Sequence, residues 1–483
     1  MAASLTGSAM IDARQLDLGG VDVSWALLLA LLGWTLSLAL AWLLIRERRA
    51  PVATMAWLVL VLAFPFVGAL VYLLIGTRKR SRRQRARLRP PIDYPAIEAG
   101  DRGTLAGFLA KLGQVGPSAN RIAVHAEAKA AREALVALID GAQRELHFVV
   151  YTFERDATGR EVLRALRRAC ERGVTVRLLV DDLGSWHLGR THMDKLERVG
   201  GRVRRFKPLF AGLRARTANL RNHRKIVVAD GARAWTGCRN IADVYLADHA
   251  EQMLWADLSY VIEGPAAAVL DEICRCDWQF ATGEALPPAV AVPVAGDADA
   301  DADGAPARVQ VLASGPDQRD DPWHAALLKA LMEARTRLWI ATPYFVPDEA
   351  VQHALAIATR SGIDVRILIP KRSDNRMVDF VARTYLRDLV RLGARVLLYP
   401  KGMMHAKLMI VDESIVTGSA NMDARSFFLN YEVVLQVDGD EALRVELERW
   451  FQHTEARSEV GIRPYPVWRE TLADLARLLA PMM

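Results

Sequence analysis

The sequence predicts an α/β protein built from two similar halves and preceded by a two-helix transmembrane hairpin, and three observations carry this reading. A short pattern, H-x-K-x4-D, occurs twice: His223, Lys225 and Asp230 in HRKIVVAD, then His405, Lys407 and Asp412 in HAKLMIVD. A longer repeat surrounds it, because Leu146 to Asp182 and Leu338 to Arg372 each read as strand, helix, Gly, strand. Ahead of both stand two uncharged apolar segments, Trp25 to Ile45 and Val52 to Ile75.

Each apolar segment meets the roughly 20 residues that a bilayer core requires. Trp25, Trp42, Trp57 and Tyr72 fall near their ends, where aromatic belts form. Only six residues, beginning with Arg46, Glu47, Arg48 and Arg49, separate the segments, so they pair as a hairpin. Pro65 and Gly68 interrupt the second and permit a kink or a re-entrant shape. Orientation follows from the flanks. Arg78 to Arg89 contains eight Lys or Arg, against three Arg in the loop, which puts the heavier side and the halves behind it in the cytoplasm. A re-entrant second segment would instead place loop and halves together there, with the N-terminus outside. The basic run also suits contact with anionic lipid, the alternative being a topology signal alone.

Between Lys and Asp of each motif the residues are IVVA and LMIV, which predict buried strands. Residues two apart on a strand share a face, so His and Lys of each copy point into one cleft. Gly237 and Asn240 in TGCRN, and Gly418, Ser419 and Asn421 in TGSAN, predict a turn whose donors approach phosphate oxygens. After the motifs the repeat continues: Asp257 and Glu432 each stand seven residues before a glycine, Gly264 and Gly439. A carboxylate there orients an imidazole and raises its basicity; the alternative is a solvated charge at a strand end.

Two histidines fit exchange at a phosphodiester. One neutral imidazole attacks phosphorus to give a phosphohistidine, while the other protonates the departing oxygen and then deprotonates the incoming hydroxyl. Either histidine can hold either role. Two lysines and two asparagines supply charge and donors around the phosphoryl oxygens, so the scheme needs no metal and no cofactor.

The duplicated HxKxxxxD with its trailing glycine and asparagine resembles the phospholipase D superfamily. With NMDARSFFLNYE after the second motif and the paired apolar segments ahead of the first, the chain resembles the bacterial cardiolipin synthases in particular, from about Ala50 to the C-terminus. The resemblance implies two similar α/β domains, each a mixed β-sheet flanked by helices, sharing one interfacial active site. It implies an N-terminal tail at 1–24, the hairpin at 25–76, a basic juxtamembrane segment at 77–120, and domains at 121–285 and 309–483. Residues 286–308, rich in Ala, Pro and alternating Asp, predict a disordered linker between them. By the same resemblance Lys225, Lys407, Asn240, Ser419 and Asn421 bind the phosphoryl group, Asp257 and Glu432 orient the imidazoles, and Asp230 and Asp412 brace their strands. The implied reaction is cardiolipin synthesis from two phosphatidylglycerols with release of glycerol, in a multi-pass protein of the bacterial inner membrane.

The net charge of +7 fits a partner that is anionic, either lipid or nucleic acid. The hairpin selects lipid. Phe206 to Lys225 mixes aromatic and basic residues and suits an interfacial loop. Two rivals remain: a phospholipase D that uses water as acceptor, and a nuclease of the same superfamily. The four cysteines, Cys170, Cys238, Cys274 and Cys276, form no zinc pattern and predict reduced thiols. Cys238 stands where the second motif has Ser419, which marks the two halves as unequal.

Overall fold

The computed structural model describes residues 16–17, 22–23, 25–47, 51–76, 90–95, 104–207, 219–248, 255–293, 306–318, 320–462 and 466–477. They fall into two units, residues 1–77 and 78–481. The basic run Arg78 to Arg89, the linker core 294–305 and the middle of the aromatic and basic loop, 208–218, lie outside the described residues.

In the first unit, Trp25–Arg46 is a helix of 22 residues, and among the described residues it alone is long and apolar enough to cross a membrane. The second apolar segment is broken where Pro65 was expected to interrupt it. It forms two helices, Pro51–Ala63 and Pro65–Ile75, of 13 and 11 residues. Phe64 leaves helical geometry between them at φ −131°. The cause is Pro65, which lacks an N–H and disfavours the α region for the residue before it. The short helices pack on the long one: Ser37 donates to the Val61 carbonyl at 2.8 Å, and the Tyr72 hydroxyl donates to Glu47 at 2.8 Å.

The second unit carries both halves on one mixed sheet. Its strands are β1 (Ser118–His125), β2 (Glu145–Val150), β3 (Thr175–Asp181), β4 (Arg202–Phe206), β5 (Ile226–Ala229), β6 (Arg233–Gly237) and β7 (Ser259–Glu263) in the first half. In the second they are β8 (Ala307–Ser314), β9 (Arg337–Ala341), β10 (Asp364–Pro370), β11 (Arg395–Tyr399), β12 (Leu408–Val411), β13 (Ser414–Gly418), β14 (Glu432–Asp438) and β15 (Glu459–Val460). The first half runs in the order β1-β7-β6-β5-β2-β3-β4. The second runs β8-β14-β13-β12-β9-β10-β11 and adds β15 at its edge. In each, β2-β3-β4 or β9-β10-β11 pair in parallel and the rest are antiparallel. The predicted repeat is therefore real in topology.

The halves join where β1 pairs antiparallel with β8, Asn120 opposite Ala307 and Ser118 opposite Val309. One apolar core spans that seam, drawing Leu258 and Tyr260 from the first half and Met404, Tyr431 and Leu435 from the second. Helices such as Ala157–Glu171, Pro265–Thr282 and Glu349–Arg360 cover the sheet, which explains why β5 and β12 are buried along their whole length. The described part of the expected linker before residue 294 packs against the first half. Ala289 is buried, its N–H donates to Glu272 at 3.0 Å, and Ile92 bridges to Val290.

Candidate active site

Both motifs enter the sheet at the seam, and each is stitched to the opposite half by backbone. His223 N–H donates to Tyr431 O at 2.9 Å and Tyr431 N–H donates to Arg221 O at 2.8 Å. In the mirror arrangement, His405 N–H donates to Ala256 O at 2.8 Å and Ala256 N–H to Met403 O at 2.9 Å. Tyr431 and Ala256 immediately precede Glu432 and Asp257. Pairing at these positions therefore delivers each carboxylate to the histidine of the other half.

The side chains bear this out. His223 Nδ1 lies 3.1 Å from Glu432 Oε2 and 3.1 Å from Ser419 O, and His405 Nδ1 lies 2.8 Å from Asp257 Oδ2. A carboxylate and a carbonyl only accept, so Nδ1 carries the proton in each ring and Nε2 keeps its lone pair. Lys225 Nζ donates to His223 O at 2.6 Å, and Lys407 Nζ donates to His405 O at 2.6 Å. Lys407 Nζ also lies 2.9 Å from His405 Nε2. Aromatic rings close the walls: Tyr151 against His223 at 5.0 Å, and Tyr245 and Trp255 against His405 at 5.1 and 5.3 Å.

Burial sets the charges. It pushes His223 down to about 4 and His405 down to about 3, with Glu432 and Asp257 pulling back and the lysines adding to the loss. Lys225 is pushed down to about 7 by burial, against the pull of Glu432, and Lys407 is lowered mainly by burial. Burial works against ionising Glu432 and Asp257, yet His223 and His405 respectively hold them below the ordinary carboxylate range. Both imidazoles are thus neutral at neutral pH in the free protein.

Asp230 and Asp412 lie elsewhere. Each occupies a left-handed turn, φ 56° and 50°, at the far end of β5 or β12. Seven residues of extended chain, roughly 23 Å, separate each from its histidine. Asp230 accepts from the N–H groups of Gln143, Arg144 and Glu145 at 2.9, 2.7 and 3.0 Å. Asp412 accepts from Arg335, Thr336 and Arg337 at 2.9, 2.8 and 3.1 Å and from the Thr336 hydroxyl at 2.6 Å. They fasten the turn to the start of β2 or β9 and do not meet the imidazoles.

Ser419 also departs from the expected role. Its hydroxyl donates to Glu432 at 2.5 Å and accepts from Val433 N–H at 2.9 Å, so it positions the carboxylate. The glycine before it is required by space: at Gly418, φ 142°, a Cβ would stand 2.3 Å from Val433 O. Cys238 replaces that hydroxyl in the first half. It donates to Gly418 O at 3.1 Å and accepts from Lys407 N–H at 3.2 Å, and burial pushes it up to about 11. Asn240 accepts from Thr152 N–H at 3.2 Å, and Asn421 lines the cavity beside His223. That cavity, about 340 Å³, is bounded by His223, Arg221, Arg425, Tyr151 and Tyr344 among others.

Two buried arginines escaped sequence reasoning, although the motifs show them. Arg224 fills the x of HRK, where the second copy has Ala406. Pointing away from His223, it donates to Asp277 at 2.6 Å and crosses the seam to Glu432 O at 3.1 Å and Ser314 O at 3.2 Å. Arg239 stands where TGSAN has Ala420, and donates to Asp257 O at 2.7 Å, His125 O at 2.7 Å and Tyr245 O at 3.2 Å. An arginine for an alanine at matched positions of a repeat is the signal that could have found both.

Comparison with known proteins places the chain in a family. The family described as "Cardiolipin synthase, PLD-like domain" matches residues 135–271 and 327–454, and one described as "Phospholipase_D-nuclease N-terminal" matches residues 35–76. A cardiolipin synthase of Geobacillus kaustophilus is 32% identical over 461 residues, covering 90% of each chain. Cardiolipin synthase 1 of Bacillus anthracis is 31% identical over 476 residues, covering 93% of each. Among solved structures, the phosphatidylserine synthase of Haemophilus influenzae shares the fold, with TM-score 0.58 at 17% identity over 77% of this chain and 98% of that one.

Proposed function

Because the chain belongs to the cardiolipin synthase family of phospholipase D-like proteins, we propose that it is a membrane-bound phosphatidyltransferase that makes cardiolipin and glycerol from two molecules of phosphatidylglycerol. The observation that carries the reading is the crossed pairing of His223 with Glu432 and of His405 with Asp257, which makes the two motifs one site.

In the first step His223 Nε2 attacks phosphorus and the bond to the glycerol oxygen breaks. That oxygen takes its proton from His405, and glycerol leaves. In the second step neutral His405 takes the proton from a hydroxyl of the second phosphatidylglycerol. The hydroxyl oxygen attacks phosphorus, the P–N bond breaks, and cardiolipin departs with His223 restored. His223 is assigned as nucleophile because it lines the cavity and is the more exposed ring, 13% against 6%. His405, with Lys407 against its Nε2, is the acid and then the base.

An imidazole at about 3 holds no proton at neutral pH, so the substrate must restore it. A phosphodiester anion about 4 Å away stabilises imidazolium by roughly 4 kcal/mol at an effective dielectric of 20, which raises the ring by roughly 3 pH units. The same anion recharges Lys225. Lys225, Lys407, Asn240 and Asn421 then bind the phosphoryl oxygens, and Asp230 and Asp412 brace the strands that bear the histidines.

Trp25–Arg46 crosses the membrane and the broken segment 51–75 forms the second leg of the hairpin. The basic residues after it keep the domains at 121–285 and 309–483 on the cytoplasmic side, facing anionic lipid. Purified protein given phosphatidylglycerol in mixed micelles tests the activity. Cardiolipin and glycerol in equal amounts are expected, and phosphatidic acid without cardiolipin would replace the transferase by a hydrolase.

A further inference from the structure

We propose that Tyr344 and Asp374 form a subsite for the hydroxylated headgroup of the acceptor lipid, on the cavity wall facing His223; this rests on the transferase reading above. Transfer has to outcompete water at phosphorus. Something must therefore hold an alcohol where water would otherwise attack, and the cavity beside His223 offers one arrangement suited to that.

Its volume, about 340 Å³, falls in the range of roughly 300–1,000 Å³ found for small-molecule sites. Its lining carries both signs of charge. Arg221 and Arg425 line it with His223 and draw the anionic phosphate; of its two carboxylates, Asp423 accepts from Ser426 N–H at 2.8 Å, while Asp374 presents one that repels phosphate and accepts hydroxyl hydrogen bonds. The Tyr344 hydroxyl donates to Asp374 Oδ1 at 2.5 Å, taking one of about four acceptor positions on the carboxylate and aiming the rest.

The loop that carries Asp374 is fixed on both sides. Ser373 N–H donates to Asp379 at 2.9 Å, and Asn375 caps helix Arg376–Leu392 by accepting from Met377 and Val378 N–H at 3.1 and 3.3 Å. A carboxylate held this way costs little to order on binding. The first half has no counterpart. Four residues past the end of β3, where Asp374 follows β10, stands Ser185, whose hydroxyl donates to Tyr151 O at 2.9 Å and accepts from Phe153 N–H at 3.0 Å. The repeat is otherwise close here, so a carboxylate at this position belongs to the second half only.

The glycerol headgroup of phosphatidylglycerol has two hydroxyls on adjacent carbons. One attacks phosphorus and gives its proton to His405. The other donates to Asp374, which fixes the attacking oxygen; a single water cannot bridge both positions. Losing a hydrogen bond to a charged group costs about 1.5–3 kcal/mol, or roughly 10–100-fold.

The test uses the full chain in phosphatidylglycerol micelles with radiolabelled glycerol, reading headgroup exchange and the ratio of cardiolipin to phosphatidic acid. In Asp374→Ala the half-saturating glycerol concentration should rise and the product ratio should fall toward phosphatidic acid, each at least about tenfold. Tyr344→Phe should move both in the same direction by less. An unchanged ratio in Asp374→Ala, or cardiolipin and phosphatidic acid falling in parallel, overturns the subsite and leaves the transferase reading standing. Absence of both exchange and cardiolipin in the unaltered protein overturns the transferase reading, and the subsite with it.

Discussion

Glu432 lies in the second half of the chain, yet its Oε2 stands 3.1 Å from Nδ1 of His223 in the first. In the mirror contact, Asp257 Oδ2 stands 2.8 Å from Nδ1 of His405, so each histidine takes its carboxylate from the other half. Glu432→Gln and Asp257→Asn keep the shape but lose the charge that fixes the tautomer and stabilises imidazolium. Each should lower kcat by roughly 10²–10⁴-fold with KM changed far less. Steady-state kinetics on phosphatidylglycerol checks this; a kcat within threefold of the unaltered protein would remove the carboxylates from the mechanism.

Asp412 should behave otherwise. Its carboxylate accepts four hydrogen bonds at a left-handed turn, far from His405. Asp412→Ala should cost about 2–4 kcal/mol of stability, since three backbone donors lose their acceptor. Thermal unfolding in detergent would show the lower Tm, and the kcat of the surviving folded fraction should fall much less than in His405→Ala. Equal loss of kcat at full stability would place Asp412 in the chemistry.

Arg224 tests the seam. Buried and paired with Asp277 at 2.6 Å, it also holds Glu432 O and Ser314 O across the halves. Arg224→Ala strands a buried carboxylate and should cost about 3–5 kcal/mol. Denaturant titration reads the loss; a change under 1 kcal/mol would show that the seam holds without it.

Acid should weaken the fold through His223. Its ring titrates at about 4 when folded and near 6.5 when unfolded, so between these values the unfolded chain binds more protons. The contribution is fully present above pH 6.5 and is lost as pH falls toward 4, on the order of 3 kcal/mol in all. His223→Gln should flatten the fall of Tm across that window. An identical slope in both proteins would contradict a buried neutral imidazole.

Much of this was legible in the sequence because it is periodic. IVVA and LMIV read as buried strand and are buried strand; the repeat of strand, helix, Gly, strand reappears as one strand order used twice. The crossing of Glu432 to His223 was not legible, because it depends on Tyr431 and Ala256 pairing across the seam, which no local pattern encodes. The contact of Ser419 with Glu432 was hidden for a related reason. A hydroxyl beside a motif reads as a phosphate donor until Glu432 is placed against it. The break in the second apolar segment was legible at Pro65, which splits the run into helices of 13 and 11 residues. Tyr344 and Asp374 lie 30 residues apart, joined only by the loops that follow two neighbouring strands.

In the proposed reaction His223 carries the phosphatidyl group while His405 moves the proton. Unaltered protein, incubated briefly with phosphatidylglycerol labelled in its diacylglycerol phosphate and quenched in alkali, should carry label on a peptide that contains His223. His223→Ala should retain none. Label on His405 in the His223→Ala protein, with none on His223 in the other, would contradict the assignment.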